Sequence, residues 1–118
     1  MTQIQSTTLL NVGTVVTVAI RFTNQKGIEY RPAIVLSIAS FNSNSADVIV
    51  APVSSQVENA RYGDIPLQNW REAGLLLPSK AKAVIQTVER RMIKKQLGSL
   101  SVGDLRAIQQ SMKAILGI

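Results

Sequence analysis

Short apolar runs broken by polar stretches fill most of the chain, and one helically spaced stripe closes it. Residues 12–22 (VGTVVTVAIRF) are dense in Val and Ile, which predicts a first strand with Gly13 at its start. Thr23 to Tyr30 is polar and reads as a loop. Arg31 and Pro32 open a second run, AIVLSIAS, predicted as a strand because proline needs no ladder donor at a strand start. The FNSNS segment reads as a turn whose Asn and Ser side chains bond their own backbone. A third strand is expected over Asp47 to Ala51, ended by Pro52. Residues 53–64 are polar and irregular, with Gly63-Asp64 as a turn. Ile65 to Leu67 suggests a short edge strand, and Asn69 to Ala73 a helical turn stopped by Gly74. Leu75 to Pro78 and Ala81 to Val88 look like strand material around a bend; Ile93 to Leu97 forms the last strand before a turn at Gly98.

The terminal segment carries complete helix punctuation. Ser101 suits an N-cap, and Asp104 sits three residues on, where its charge complements the helix dipole. Leu105, Ile108, Met112, Ile115 and Leu116 recur at helical spacing, and Gly117 stops the run. Several short strands followed by one helix predict a mainly β, α+β domain: a small, strongly bent antiparallel barrel with short helices and a C-terminal helix. No repeat or linker divides residues 1–118, so a single domain is expected, with 1–11 as a flexible leading segment.

Composition narrows the chemistry. The chain lacks cysteine and histidine. Thiolate zinc sites, cysteine nucleophiles and the near-neutral imidazole shuttle are thereby excluded. The seven carboxylates are scattered, giving no ground for a metal site, and neither metal nor cofactor is expected. The N-terminus lacks the basic start and apolar run of a signal peptide, so a cytoplasmic protein without a membrane span is expected.

The net charge of +6 is uneven: residues 1–59 balance to zero, and the excess lies in 60–118. Within that half, Lys80, Lys82, Arg90, Arg91, Lys94 and Lys95 face only Glu89 along sixteen residues. Such a cluster attracts phosphate backbones or an acidic protein, or serves only as a solvated surface. Arg31, beside the polar loop, can anchor a phosphate through its planar fork, or remain a plain strand-end arginine. Ser54-Ser55 can donate to phosphate and move a proton, or bond their own turn.

Taken in order, VGTVVTVAIRF, RPAIVLS, DVIVAPVSS, AGLLLPSKAKA and QTVERRMIKKQLGSLS resemble the PemK/MazF toxins over roughly residues 12–116. The resemblance implies an SH3-like barrel, a homodimer, an acidic antitoxin partner and metal-independent cleavage of single-stranded RNA at short motifs. It matches Arg31 to the family's catalytic arginine, Ser54 to its threonine and Ser55 to the following serine. Thr14 replaces an aspartate, and the stretch from Ser79 to Thr87 is one residue short.

The expected chemistry is attack of the RNA 2′-hydroxyl on its own phosphate. Arg31 stabilises the phosphoryl oxygens, Ser54 orients or protonates, and Glu29 is the base, sharing a face with Arg31 if the segment is extended. Lys26, Lys80 and Lys82 are expected on backbone phosphates, Tyr30 stacked on a base or partly buried, and Ser55 and Gln86 on the RNA. Two other readings compete: a non-catalytic SH3-like module binding RNA or protein, and a topoisomerase-inhibiting toxin of related fold.

Overall fold

The computed structural model describes residues 10–21 and 27–118. Seven strands alternate with little helix: β1 (Thr14–Arg21), β2 (Ile28–Val35), β3 (Asp47–Ser54), β4 (Ile65–Pro66), β5 (Lys80–Ala81), β6 (Gln86–Glu89) and β7 (Ile93–Ser99). Helix α1 (Ala39–Asn44) joins β2 to β3, a 3₁₀ turn (Arg90–Met92) joins β6 to β7, and α2 (Val102–Leu116) ends the chain. Every pairing is antiparallel, in the order β4-β5-β3-β2-β1-β7, with β6 beside β5 along the same edge of β3. The α+β class and terminal helix expected from the sequence are present. The sheet bends strongly but remains open, since no ladder joins β4 to β7 among the described residues. No helix of the described residues is long and apolar enough to cross a membrane.

Unbroken Val and Ile runs arise because both faces of the central strands are covered. On β1, Val15 packs with Ile34, Ala51, Val53, Ile108 and Met112 under α2. Its neighbour Val16 packs on the other face with Ala33, Val35, Val48, Val50 and Ile93. Register shifts between Val15 and Val16 and between Thr17 and Val18 against β7 supply the bend.

Several local expectations change. Residues 28–30 belong to β2, opposite Arg21, Ile20 and Ala19; this arm is exposed on both faces, which is why its composition reads as a loop. Residues 39–44 form α1, because Asn42 is buried and spends its side chain on distant partners. Its Nδ2 donates to the Leu10 carbonyl at 2.6 Å, and the Ser37 hydroxyl donates to its Oδ1 at 2.5 Å. Pro52 lies inside β3 opposite Ala33. Its carbonyl accepts from Lys82 N, so its missing donor faces the gap where residues 82–85 leave the ladder. Leu75–Pro78 is a bend, and Leu76 and Leu77 stand exposed.

Gly98 lies within β7, opposite Val15. A Cβ there would stand 2.7 Å from the Ala73 carbonyl oxygen, and one on Gly74 only 2.2 Å from that of Leu97. The helical turn ending at Gly74 (φ +86°) thus presses on β7, and both glycines serve that approach.

Candidate functional site

Strand pairing brings the two sequence-distant chemical pieces together. Ala33 on β2 stands opposite Pro52 on β3, where that ladder ends; Arg31 lies two residues before Ala33, and Ser54 two residues after Pro52. By strand alternation Arg31 shares a face with Ala33, and Ser54 with Val50 and Pro52. That face opens into a cleft of about 880 Å³. Its floor is apolar, from Val18, Ile20, Ala33, Val50, Val88 and Met92, and its walls carry Arg31, Ser54, Ser55, Gln56, Lys82, Gln86, Glu89 and Arg91. Among the described residues three cations against one carboxylate line the cleft, and the low-dielectric floor beneath them strengthens their pull on a polyanion.

Arg31 donates from Nε (2.8 Å) and Nη2 (2.6 Å) to the same oxygen of Glu29. The extended backbone predicted for this contact is real: the residues are two apart on β2. Both side chains are about half exposed, at 55% and 49%. A pair so solvated is worth only about 0–1 kcal/mol, so a phosphate can exchange with the carboxylate. The Ser54 hydroxyl oxygen accepts from Gln56 N at 3.1 Å, which fixes the oxygen and leaves its proton for a ligand. This is the local turn bond anticipated as the alternative role of the serines, and it coexists with their place in the cleft.

Arg31, Ser54, Ser55, Lys82 and Gln86 therefore line one cleft. Glu29 touches Arg31 without lining the cleft. Tyr30 is 56% exposed, lies opposite Ala19 on the other face of β2, and does not line the cleft either. Lys26 lies outside the described residues. Lys80 is the clear correction. It is buried outside the cleft lining, and its ammonium donates to Asp64 Oδ2 at 2.7 Å and to the Asn59 carbonyl at 2.5 Å, which turns it away from a phosphate in the cleft. Glu89 and Arg91, paired at 2.8 Å, were not singled out as site residues. The basic run around Arg91 was the available signal, but only the 3₁₀ turn shows which arginine faces the cleft.

Burial pushes the Asp64 carboxyl up, but the Lys80 ammonium and the Ala83 and Arg61 amides outweigh it and hold the group below its ordinary value near 3.8. A depressed folded value means the stabilisation is complete above the ordinary value and is lost as pH falls through the lower, folded one. On acidification below about pH 4, the wild-type melting temperature should fall more steeply than that of Asp64→Asn. Parallel slopes in calorimetry would remove this assignment. Among the described residues no group of three or more carboxylates converges.

A family model described as the PemK-like, MazF-like toxin of type II toxin–antitoxin systems matches residues 11–116. No curated protein matches in sequence. Solved structures of similar shape include a mycobacterial endoribonuclease in complex with its cognate antitoxin, at TM-score 0.72 and 16% identity, covering 92% of this chain and 95% of that one. A MazE–MazF structure from Deinococcus radiodurans has TM-score 0.76 and 18% identity, covering 92% and 96%. The Mycobacterium tuberculosis toxin MazF-mt6 has TM-score 0.69 and 18% identity, covering 87% and 97%. At these identities the likeness is one of fold.

Proposed function

The chain belongs to the PemK-like, MazF-like toxins of type II toxin–antitoxin systems, and we propose that it is an endoribonuclease cutting single-stranded RNA in the cleft beside β3. The observation that carries this reading is the meeting of Arg31 and the Ser54-Ser55 pair in one cationic cleft.

The RNA backbone enters along Arg31, Lys82 and Arg91, and its phosphate takes over the Arg31 fork from Glu29. The displaced carboxylate is then the base that removes the 2′-hydroxyl proton. The 2′-oxygen attacks phosphorus, the P–O5′ bond breaks, and the products are a 2′,3′-cyclic phosphate and a 5′-hydroxyl. Arg31 stays protonated throughout and stabilises charge on the phosphoryl oxygens. The Ser54 hydroxyl hydrogen-bonds one of those oxygens, with water protonating the leaving 5′-oxygen, or passes its own proton to the 5′-oxygen and regains one from solvent; Ser55 and Gln86 hold the flanking strand. The sequence supplies neither thiol nor imidazole, so proton transfer falls to the carboxylate and hydroxyl groups named here.

The same cationic cleft suits the acidic segment of a cognate antitoxin, which would compete with RNA. A second copy of the chain is the other proposed partner; the exposed Ile115, Leu116 and Ile118 offer it an apolar surface. The place of action is the cytoplasm, where single-stranded message is available.

Purified protein incubated with single-stranded RNA in excess chelator should yield fragments bearing 5′-hydroxyl ends. Binding without cleavage would replace the enzyme by a non-catalytic RNA-binding module. Arg91 gives a separate check on the track. Removing one phosphate contact lowers the salt dependence of single-strand binding by about 0.7 in log–log slope. Arg91→Ala should show that decrement on an uncleavable 2′-O-methyl oligonucleotide, measured by fluorescence anisotropy. An unchanged slope would take Arg91 off the RNA path.

A further inference from the structure

We propose that the buried Asp64–Lys80 ion pair is a positioning device that sets the Ser54 hydroxyl and the opposite cleft wall for catalysis. The inference rests on the cleavage reading above.

Residues 56–62 follow the serine pair directly and are all exposed, so this loop has no buried apolar anchor. Polar bonds hold it instead. Lys80 Nζ reaches the loop at the Asn59 carbonyl (2.5 Å) and at Asp64 Oδ2 (2.7 Å). The same Asp64 oxygen accepts from Arg61 N at 3.0 Å, and Oδ1 accepts from Ala83 N at 2.8 Å. The Lys80 backbone stands opposite Ser54 in the β3–β5 ladder. Ala83 opens the short connection from Lys82 to Gln86. One ion pair therefore joins the segment carrying Ser54, Ser55 and Gln56 to the segment carrying Lys82 and Gln86.

Stability alone explains such a pair poorly. Both side chains are almost fully buried, at 6% and 3% exposure. Withdrawing two charges from water is expensive, and apolar replacements of similar volume are often as stable or more so. What an apolar pair could not reproduce is the set of directed bonds to residues 59, 61 and 83. Those bonds matter because the Ser54 oxygen is aimed by Gln56 N, so slack in the loop turns the hydroxyl. A displacement of about 1 Å at a reacting group can lower a rate by about 10²-fold.

Lys80→Met and the neutral double variant Asp64→Asn/Lys80→Met separate positioning from folding. Kinetics are measured well below each melting midpoint, and amide exchange is read at Gln56 and Ala83. The double variant should recover most of the melting temperature lost by Lys80→Met. Its kcat should stay about 10–100-fold below wild type with KM changed less than about threefold, and both amides should exchange at least tenfold faster. Recovery of kcat together with melting temperature would overturn the proposal, leaving the pair a purely structural feature. If the double variant fails to fold, Lys80→Gln, uncharged but able to donate to Asn59, is judged by the same split between kcat and melting temperature. If the wild type cleaves no RNA, the cleavage reading falls, and exchange at Gln56 and Ala83 decides the clamp: faster exchange sustains it, wild-type rates end it.

Discussion

Arg31→Ala should lower kcat for RNA cleavage by about 10²–10³, the usual loss when one donor to a developing oxyanion is removed. The melting temperature should stay close to wild type. The argument for the first half is geometric. Arg31 lines the cleft with Ser54, and its fork is held ready by Glu29 through two donors. Charge on phosphorus oxygens grows as the 2′-oxygen attacks, and a fixed cation there needs no reorganisation. The argument for the second half is energetic. The side chain is 55% exposed and its pair with Glu29 is solvated, so its loss removes about 0–1 kcal/mol of stability. Arg31→Lys should recover only part of the rate, because an ammonium cannot present two parallel donors to one phosphate. Full activity in Arg31→Ala, with wild-type melting, would remove the central assignment.

How this site was readable follows from what strands and loops encode. Val and Ile runs gave β1, β3 and the Ala33–Val35 part of β2 because both faces are covered there, and that demand is written into each residue. Ser101, Asp104 and Gly117 marked α2 because capping is local: Ser101 Oγ accepts from Asp104 N, and Gly117 adopts φ 74°. The Glu29–Arg31 contact was readable for the same reason, since alternation along one strand fixes it.

Lys80 and Lys82 show where locality fails. The segment KAK spaces two identical side chains two residues apart, yet one lies beneath the 55–64 loop and the other lines the cleft. That outcome depends on Asp64, sixteen positions before Lys80, and no periodicity carries it. Asp104 has a similar hidden role. Beyond its place on the dipole, its carboxylate accepts from Gln68 N (3.0 Å) and Asn69 N (2.9 Å), pinning the start of the helical turn that presses on β7.

Ile108→Ala should cost about 2–5 kcal/mol of unfolding free energy, and Leu116→Ala less than about 0.5 kcal/mol in the monomer. Both belong to the single apolar stripe of α2, and the fold divides that stripe. Ile108 is fully buried against Val15, Ile34 and their neighbours, so truncation leaves a cavity that a close-packed sheet cannot refill. Met112 continues the contact, but Ile115 and Leu116 are 43% and 56% exposed. At about 3–5 °C per kcal/mol for a domain of this size, Ile108→Ala should melt about 6–25 °C lower. Denaturant unfolding at two protein concentrations provides the decisive comparison. A small Leu116 effect at both concentrations means that solvent covers the end of α2. An effect above about 1 kcal/mol that grows with concentration means that a second chain buries it, because association stabilises only the folded state. The Ile108 loss is expected under either outcome, since its partners all lie within one chain.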